Sequence, residues 1–286
     1  MGVMERWHIQ LGRLFGAAVG AFAGVVAVQL MRLRRAEFLP PWPGFRVNHL
    51  VAPIGAVTTA DPLILVVLGD STTAGVGVSR AQDALPYLLA RRIANAEARP
   101  VRVISYGWAG ARAADLPRQQ LGHAAGTERR PQDGGPFLPD ADVVAIVIGS
   151  NDATHRTPPA RYRAALRETF DAVRAVAPGA RLVLCGIPRF NGVLRAFEPL
   201  IFLADQYARL LRPVSRTEAA RAGAAYADIH ARVPAMIAGR RDVLSSDQFH
   251  PSVVLYDAWA RVMFEALEGG AVPAELPSAP LEPAGA

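Results

Sequence analysis

The sequence predicts an α/β protein, a three-layer α/β/α sandwich around a central, mostly parallel five-stranded sheet. Three observations carry this. Short aliphatic runs recur along the chain without polar interruption, as strands covered on both faces require. Longer amphipathic stretches separate them, and such alternation implies right-handed crossovers with helices on both sides of the sheet. Polar and glycine residues cluster directly after several of the runs, where a parallel sheet presents its chemistry.

The strands are expected at residues 63–68 (LILVVL), 101–105 (VRVIS), 143–148 (VVAIVI), 181–185 (RLVLC) and 224–229 (AAYADI). Helices are expected at 83–98, 159–176, 197–222 and 252–267, where apolar residues recur at helical spacing. These elements define a domain over residues 62–268, flanked by segments of a different character. Residues 37–61 open with FLPPWPGF, whose prolines cannot continue a helix and read as a stiff linker. Residues 269–286 are Pro, Ala and Gly with little to bury and read as a disordered tail.

Residues 1–36 form a separate object. Between Arg13 and Arg32 runs LFGAAVGAFAGVVAVQLM, in which Gln29 is the one polar member. At about 1.5 Å per residue this stretch just reaches across a hydrocarbon core of roughly 30 Å. It reads as an uncleaved membrane anchor, with a cleaved secretion signal as the alternative: the run is longer than a usual signal core and closes on Arg32, Arg34 and Arg35. Arginines flank both ends, so the side of the membrane stays open. Gly16 and Gly20 stand at a spacing that can pair helices in lipid.

The formal charge of +6 does not indicate nucleic-acid binding. Six Arg against two Glu in residues 1–46 account for +4 of it, leaving the rest nearly balanced, and no basic stripe with interleaved aromatics is present. Every basic residue is Arg, a compositional bias before it is a phosphate signal. With a single cysteine, Cys185 in RLVLCGIP, the chain can form no internal disulfide and no cysteine-based zinc cluster.

The chemistry-bearing residues lie beyond the strands. The first run ends in Gly69-Asp70-Ser71, the second leads into YGWAGAR, the third ends in Gly149-Ser150-Asn151-Asp152, and SSDQFHPS holds Asp247 and His250. A serine hydroxyl becomes a nucleophile when an imidazole takes its proton, and the imidazole works best when a carboxylate fixes its tautomer. Asp247 and His250, three apart, can be presented by one turn. An oxyanion formed during attack needs fixed donors, which a glycine N–H and an asparagine amide supply.

GDS after the first strand, a glycine after the second, GxND after the third and DxxH before the last helix resemble the four blocks of the SGNH (GDSL-type) hydrolase family. The resemblance spans roughly residues 63–267 and implies a flavodoxin-like SGNH hydrolase fold. It implies Ser71 as nucleophile, with its own N–H in the oxyanion hole, Asn151 as a second donor, and the pair Asp247 and His250 completing the triad. For the glycine block, SYGWAG fits with Ser105 in place of the usual Asn and Gly110 as donor, Gly107 being the alternative. GDST stands in place of GDSL, without loss of a chemical participant. No metal or organic cofactor is implied.

The implied reaction is hydrolysis of a small-molecule carboxylic ester, an acyl lipid such as a lysophospholipid or a thioester. O-acetyl hydrolysis or acyl transfer on sugars or polysaccharide is the alternative on the same scaffold. The anchor and the apolar cluster Val193, Leu194, Phe197, Leu200, Ile201, Phe202 and Leu203 favour lipid, although such a cluster at helical spacing is also plain core. Residues 126–139 read as a loop bordering the site. Asp70 reads as a turn residue, Asp152 as a carboxylate bonding nearby loop backbone, and His123, His155 and His230 as surface or packing histidines. Neither a phosphate-binding Gly-Lys-Ser/Thr loop nor a G-x-S-x-G elbow is present.

Overall fold

The computed structural model describes residues 3–35, 48–55, 59–125, 137–190 and 198–269. In chain order it contains α1 (Val3–Arg35), β1 (Asn48–Val51), β2 (Leu63–Gly69), α2 (Leu85–Glu97), β3 (Val101–Ser105), a π-helical turn (Leu116–Gln120), α3 (Leu121–Ala125) and β4 (Val143–Val147). There follow α4 (Ser150–Thr154), α5 (Pro159–Val176), β5 (Arg181–Cys185), α6 (Leu200–Arg221), β6 (Ala225–Ala227), α7 (Ile229–Met236) and α8 (Val253–Gly269).

The sheet runs β1-β3-β2-β4-β5-β6, with β1 antiparallel to β3 and every other pairing parallel. The parallel strands alone, renumbered in chain order, run 2-1-3-4-5. In that doubly wound order the chain reverses direction across β2, and the crevice beyond its carboxyl end lies between the ends of β3 and β4.

Alternate side chains of each strand enter opposite cores. Val66, Leu68, Val144, Ile146 and Leu184 pack with Tyr162, Leu166 and Phe170 of α5 and Ala208 and Leu211 of α6. Leu65, Val67, Val103, Ala145 and Val183 pack with Leu88, Leu89 and Ile93 of α2 and Tyr256, Trp259 and Met263 of α8. Each fully buried side chain of this size contributes about 1.5–3 kcal/mol, so the two cores fix which face every strand presents.

Prolines set several helix starts. Pro86 lies in the first turn of α2 and Pro159 opens α5, where the missing N–H costs nothing. Several arginines act as ties rather than as a binding surface. Arg174 Nη1 donates to Ala180 O at 2.8 Å and Nε to Ala222 O at 3.2 Å, linking α5 to the turns before β5 and β6. Arg212 Nη2 reaches Pro188 O at 2.8 Å and Asp205 Oδ1 at 3.0 Å, pinning the chain after β5.

The parallel sheet and its helices follow the sequence reading, with corrections. The sheet has six strands rather than five, because Asn48–Val51 adds an antiparallel edge and comes from the stretch read as linker. Four residues without an apolar run carry no local strand signal; their pairing with Val101 to Ile104 is a tertiary event. The last strand is Ala225–Ala227, and the chain then turns at Asp228, whose carboxylate accepts the Ala231 N–H at the start of α7. Residues 1–2, 36–47, 56–58, 126–136, 191–197 and 270–286 lie outside those described, and with them the whole FLPPWPGF motif, most of the expected site-bordering loop, Val193, Leu194 and Phe197, and nearly all of the tail.

Among the described residues one helix, α1, is long and apolar enough to cross a membrane, over Gln10–Gln29 with a mean hydropathy of 1.8.

The end of β3 approaches the turn after β2 so closely that Gly107 has no room for a side chain. A Cβ there would lie 1.8 Å from Thr73 Oγ1 and 3.0 Å from Gly69 O. Gly107→Ala is therefore expected to lower the unfolding free energy by about 2 kcal/mol or more, as read by urea denaturation, whereas Gly179→Ala, where a Cβ meets nothing within 4 Å, should stay within about 0.5 kcal/mol.

Candidate active site

The turn that carries Ser71 is shaped by what Gly69 lacks. A Cβ on Gly69 would stand 2.3 Å from Val147 O and 2.8 Å from Thr73 Cγ2, so the end of β2 is pressed against both β4 and its own turn. Buried Gln120 holds the same residue from the side: Gly69 N–H donates to Gln120 Oε1 at 2.9 Å, and Gln120 Nε2 donates to Gly69 O at 2.7 Å. The chain then curls tightly. Thr73 N–H and Ala74 N–H both donate to Asp70 O at 3.1 Å, and Val76 N–H donates to Ser71 O at 3.0 Å. Ser71 sits partly exposed on this curl, and its N–H has no backbone partner among the described residues.

Asp70 lies beneath the curl, 2% exposed, with Oδ1 accepting from Thr72 N–H at 3.0 Å and Thr72 Oγ1 at 2.8 Å. Burial pushes its carboxyl up to about 6, against the Thr72 bonds and the nearby His250, which favour the charged form.

On the facing loop, His250 Nδ1 lies 2.7 Å from Asp247 Oδ2. Burial alone would raise Asp247, but the bonds from the His250 ring and N–H, from Ser245 Oγ at 2.7 Å and from Phe249 N–H at 3.0 Å outweigh it. They hold this carboxyl well below the usual range. An ionised Asp247 accepts only, so Nδ1 carries the ring proton and Nε2 of neutral His250 is left as the basic nitrogen. The loop is closed by Ser245 N–H donating to His250 O at 2.8 Å and by the bridge between Leu244 and Pro251.

The Ser71 turn and the His250 loop touch. A Cβ at Gly77 would lie 2.4 Å from Pro251 O and 3.2 Å from His250 Cβ, and Tyr256 Oη of α8 donates to Val76 O at 2.6 Å. Residues 71 and 250 thus belong to one packed unit although the chain separates them widely.

The other two blocks meet at the same edge. After β3, Tyr106 N–H donates to Val67 O and Trp108 N–H to Gly69 O, which lays the YGWAG segment beside β2. Gly110 follows with φ +84°, exposed and open on its Cβ side, and its N–H has no backbone partner among the described residues. Gly107, by contrast, is packed against Thr73, with its N–H directed at Ser105 Oγ, 3.4 Å away. Beyond β4, Gly149 at φ +114° redirects the chain into α4. Asn151 then donates from Nδ2 to Ala111 O at 2.9 Å, so its amide ties the Gly110 loop to the Ser-Asn-Asp turn and keeps a second N–H. Asp152, fully buried and raised by that burial, accepts Ala113 N–H at 2.9 Å through Oδ2. His155 stands exposed with Nδ1 2.9 Å from Asn151 O, and His230, lowered by burial and then by Arg212 and Arg189, is in the first turn of α7. The side chain of His123 is outside those described.

The same four segments decide the family. The sequence model of the GDSL-like lipase/acylhydrolase family matches residues 67–258, from the end of β2 into α8. The chain belongs to the GDSL-like lipase/acylhydrolase family. The chain is 30% identical over 208 residues to the GDSL-like esterase Rv1075c of Mycobacterium tuberculosis, over 71% of this chain and 61% of that protein's length. Solved structures share the GDSL fold. A lipase/acylhydrolase from Enterococcus faecalis superposes with TM-score 0.52 at 22% identity, over 72% of this chain and 96% of that one. Phospholipase A1 from Streptomyces albidoflavus NA297 does so with TM-score 0.51 at 24% identity, over 74% and 100%.

Supporting residues of the GDSL site went unread in the sequence: Gln120, Ser245, Thr73 and Tyr256. Ser245 had a signal, since a serine two residues before an aspartate can donate to it. Gln120 in LPRQQLGH had none, because nothing local distinguishes a buried glutamine from an exposed one.

Asp70 gives a prediction with a definite sign. Its folded value of about 6 lies above the ordinary 3.8, so its contribution to stability is full below the unfolded value and is lost as pH rises through 6. Asp70→Asn keeps an Oδ1 acceptor for Thr72 without the charge. The variant should match wild type near pH 4 and exceed it by about 3 kcal/mol at pH 7, as read by urea unfolding at each pH.

Proposed function

We propose that this GDSL-family protein is a membrane-anchored serine hydrolase that cleaves carboxylic esters of acyl lipids. The observation that carries it is the Asp247–His250 pair at 2.7 Å, seated directly against the turn that bears Ser71. Ser71 Oγ attacks the ester carbonyl while Nε2 of His250 takes its proton. Asp247, held ionised by its four donors, stabilises the imidazolium that results. The negative oxygen of the tetrahedral intermediate is received by the N–H groups of Ser71 and Gly110 and by the second N–H of the Asn151 amide. His250 returns its proton to the departing alcohol, leaving an acyl-Ser71 ester. Water, deprotonated by the same nitrogen, attacks that ester and releases the fatty acid and free Ser71.

The donors are fixed before substrate arrives. Gly110 is held through Ala111 by Asn151, and Ser71 by the curl on Asp70, so little reorganisation accompanies the reaction. Helix α1, with Arg13 and Arg32 bracketing an uncharged stretch, serves as the anchor, and lipid esters are the substrates such an anchor brings into reach.

The full-length chain in detergent is expected to hydrolyse p-nitrophenyl esters and to prefer longer acyl chains over acetate. Ser71→Ala should abolish both turnover and labelling by a fluorophosphonate while melting normally. Asn151→Ala should lower kcat by about 10²–10³-fold and Asp247→Asn by at least about 10²-fold. Unchanged labelling in Ser71→Ala would overturn the assignment, and a preference for acetate would remove the lipid reading.

A further inference from the structure

We infer that Gln29 fixes the catalytic domain with its strand-end rim against the bilayer, so that the site draws its ester from membrane-resident amphiphiles rather than from solution. The inference deepens the proposed hydrolase function and rests on it for the identity of the reaction.

Every residue of α1 from 10 to 25 is exposed, with Leu11, Leu14, Phe15, Val19, Phe22 and Val25 bare to the surroundings. No charged residue interrupts positions 14–31. A rod of this kind, about 30 Å long, exceeds any apolar patch that water tolerates, and its length is that of a hydrocarbon core. Lipid is the occupant that covers it. Among the described residues, the helix meets the rest of the molecule near its far end, where Val26 is half-buried and Gln29 is buried.

Gln29 is the polar exception in the span, and its amide is used on both sides. Leu200 N–H donates to Gln29 Oε1 at 3.0 Å, and Gln29 Nε2 donates to Glu198 O. Leu200 opens α6, and the residue before it is Pro199, which has no side chain able to cap the helix. One of the orphan donors of α6 is thus satisfied by a side chain 171 positions away. An amide left unpaired at this depth would be costly, so the contact joins the anchor to this one point of the domain.

That point lies on the catalytic edge. Strand β5 is parallel to β4 and β4 to β2, so the chain leaves β5 at the same edge as Gly69, and α6 begins after that exit. Two turns into α6, about 10 Å along its axis, Tyr207 Oη donates to Thr157 O at 3.0 Å, next to the α4 turn that holds Asn151. Between the two contacts in sequence, Phe202 stands in the first turn of α6, 46% exposed. Arg32, Arg34 and Arg35 follow Gln29 in the sequence, where the uncharged stretch ends.

The test uses the full chain reconstituted in phosphatidylcholine vesicles. Cys185 is buried, so a cysteine introduced as Phe202→Cys takes an environment-sensitive fluorophore alone; Gly179→Cys, before β5 at the opposite edge, is the control. The probe at 202 should shift to the blue and be quenched at least threefold more than the probe at 179 by nitroxide-labelled lipid. Gln29→Leu should leave turnover of a soluble p-nitrophenyl butyrate within twofold and lower hydrolysis of a long-chain ester embedded in the vesicles about tenfold. Equal quenching at both positions, or a loss on both substrates alike, overturns the inference. A blue shift at 202 that lipid nitroxides do not quench and that grows with protein density means a second copy covers the rim, and it too overturns the inference. If neither ester is hydrolysed at all while the quenching pattern holds, the hydrolase reading fails and the placement of the rim stands.

Discussion

A carboxylate kept charged inside a protein has to be surrounded by donors, and Asp247 is. Four hydrogen bonds converge on it, three of them from within five residues of its own loop and one from the ring it serves. Removing any one weakens the preference for the charged form. A protonated Asp247 would no longer demand a proton on Nδ1, and the imidazole would be free to present the wrong nitrogen to residue 71. The rest of the site is arranged around that ring: the closing of loop 245–251 on itself, the packing of Gly77 beneath it and the Tyr256 bond to Val76 all hold it against the Ser71 turn.

The opposite wall is stitched by polar side chains that bond the backbone of neighbouring segments. Gln120 grips Gly69 through both its amide atoms, Asp152 grips Ala113, and Asn151 grips Ala111. Each link joins a segment from one strand end to a segment from another, so the carboxyl edge of the sheet behaves as a single piece rather than as separate loops. Glycines at 69, 77 and 107 make the approach close enough for those links to form, since a methyl group at any of them would collide with neighbouring atoms. Here the cost of burying polar groups is offset by the backbone hydrogen bonds they make, and what those bonds secure is position.

The strands and long helices were legible because their signal is local: an unbroken run of Val, Ile and Leu, or apolar residues at helical spacing. The four polar blocks were legible for a related reason, each sitting directly after such a run. What stayed hidden depends on partners far away in the chain. Strand β1 exists because β3 is beside it, and Asn48–Val51 alone offers nothing to distinguish it from linker. Gln120 looks like any polar residue on a helical turn until Gly69 is placed next to it. Gln29 was visible as an oddity in an apolar stretch, but its partner could not be read without the fold. The short helices α3, α4 and α7 follow from capping and packing geometry that five to eight residues cannot encode by periodicity.

The imidazole loop leads straight into α8, and α8 packs beside α2, the first helix after the serine turn. Ser71 and His250 therefore come from opposite ends of the domain and are joined only when its final helix closes onto its first. Until that last helix docks, the two segments that meet at this edge have nothing to hold them together.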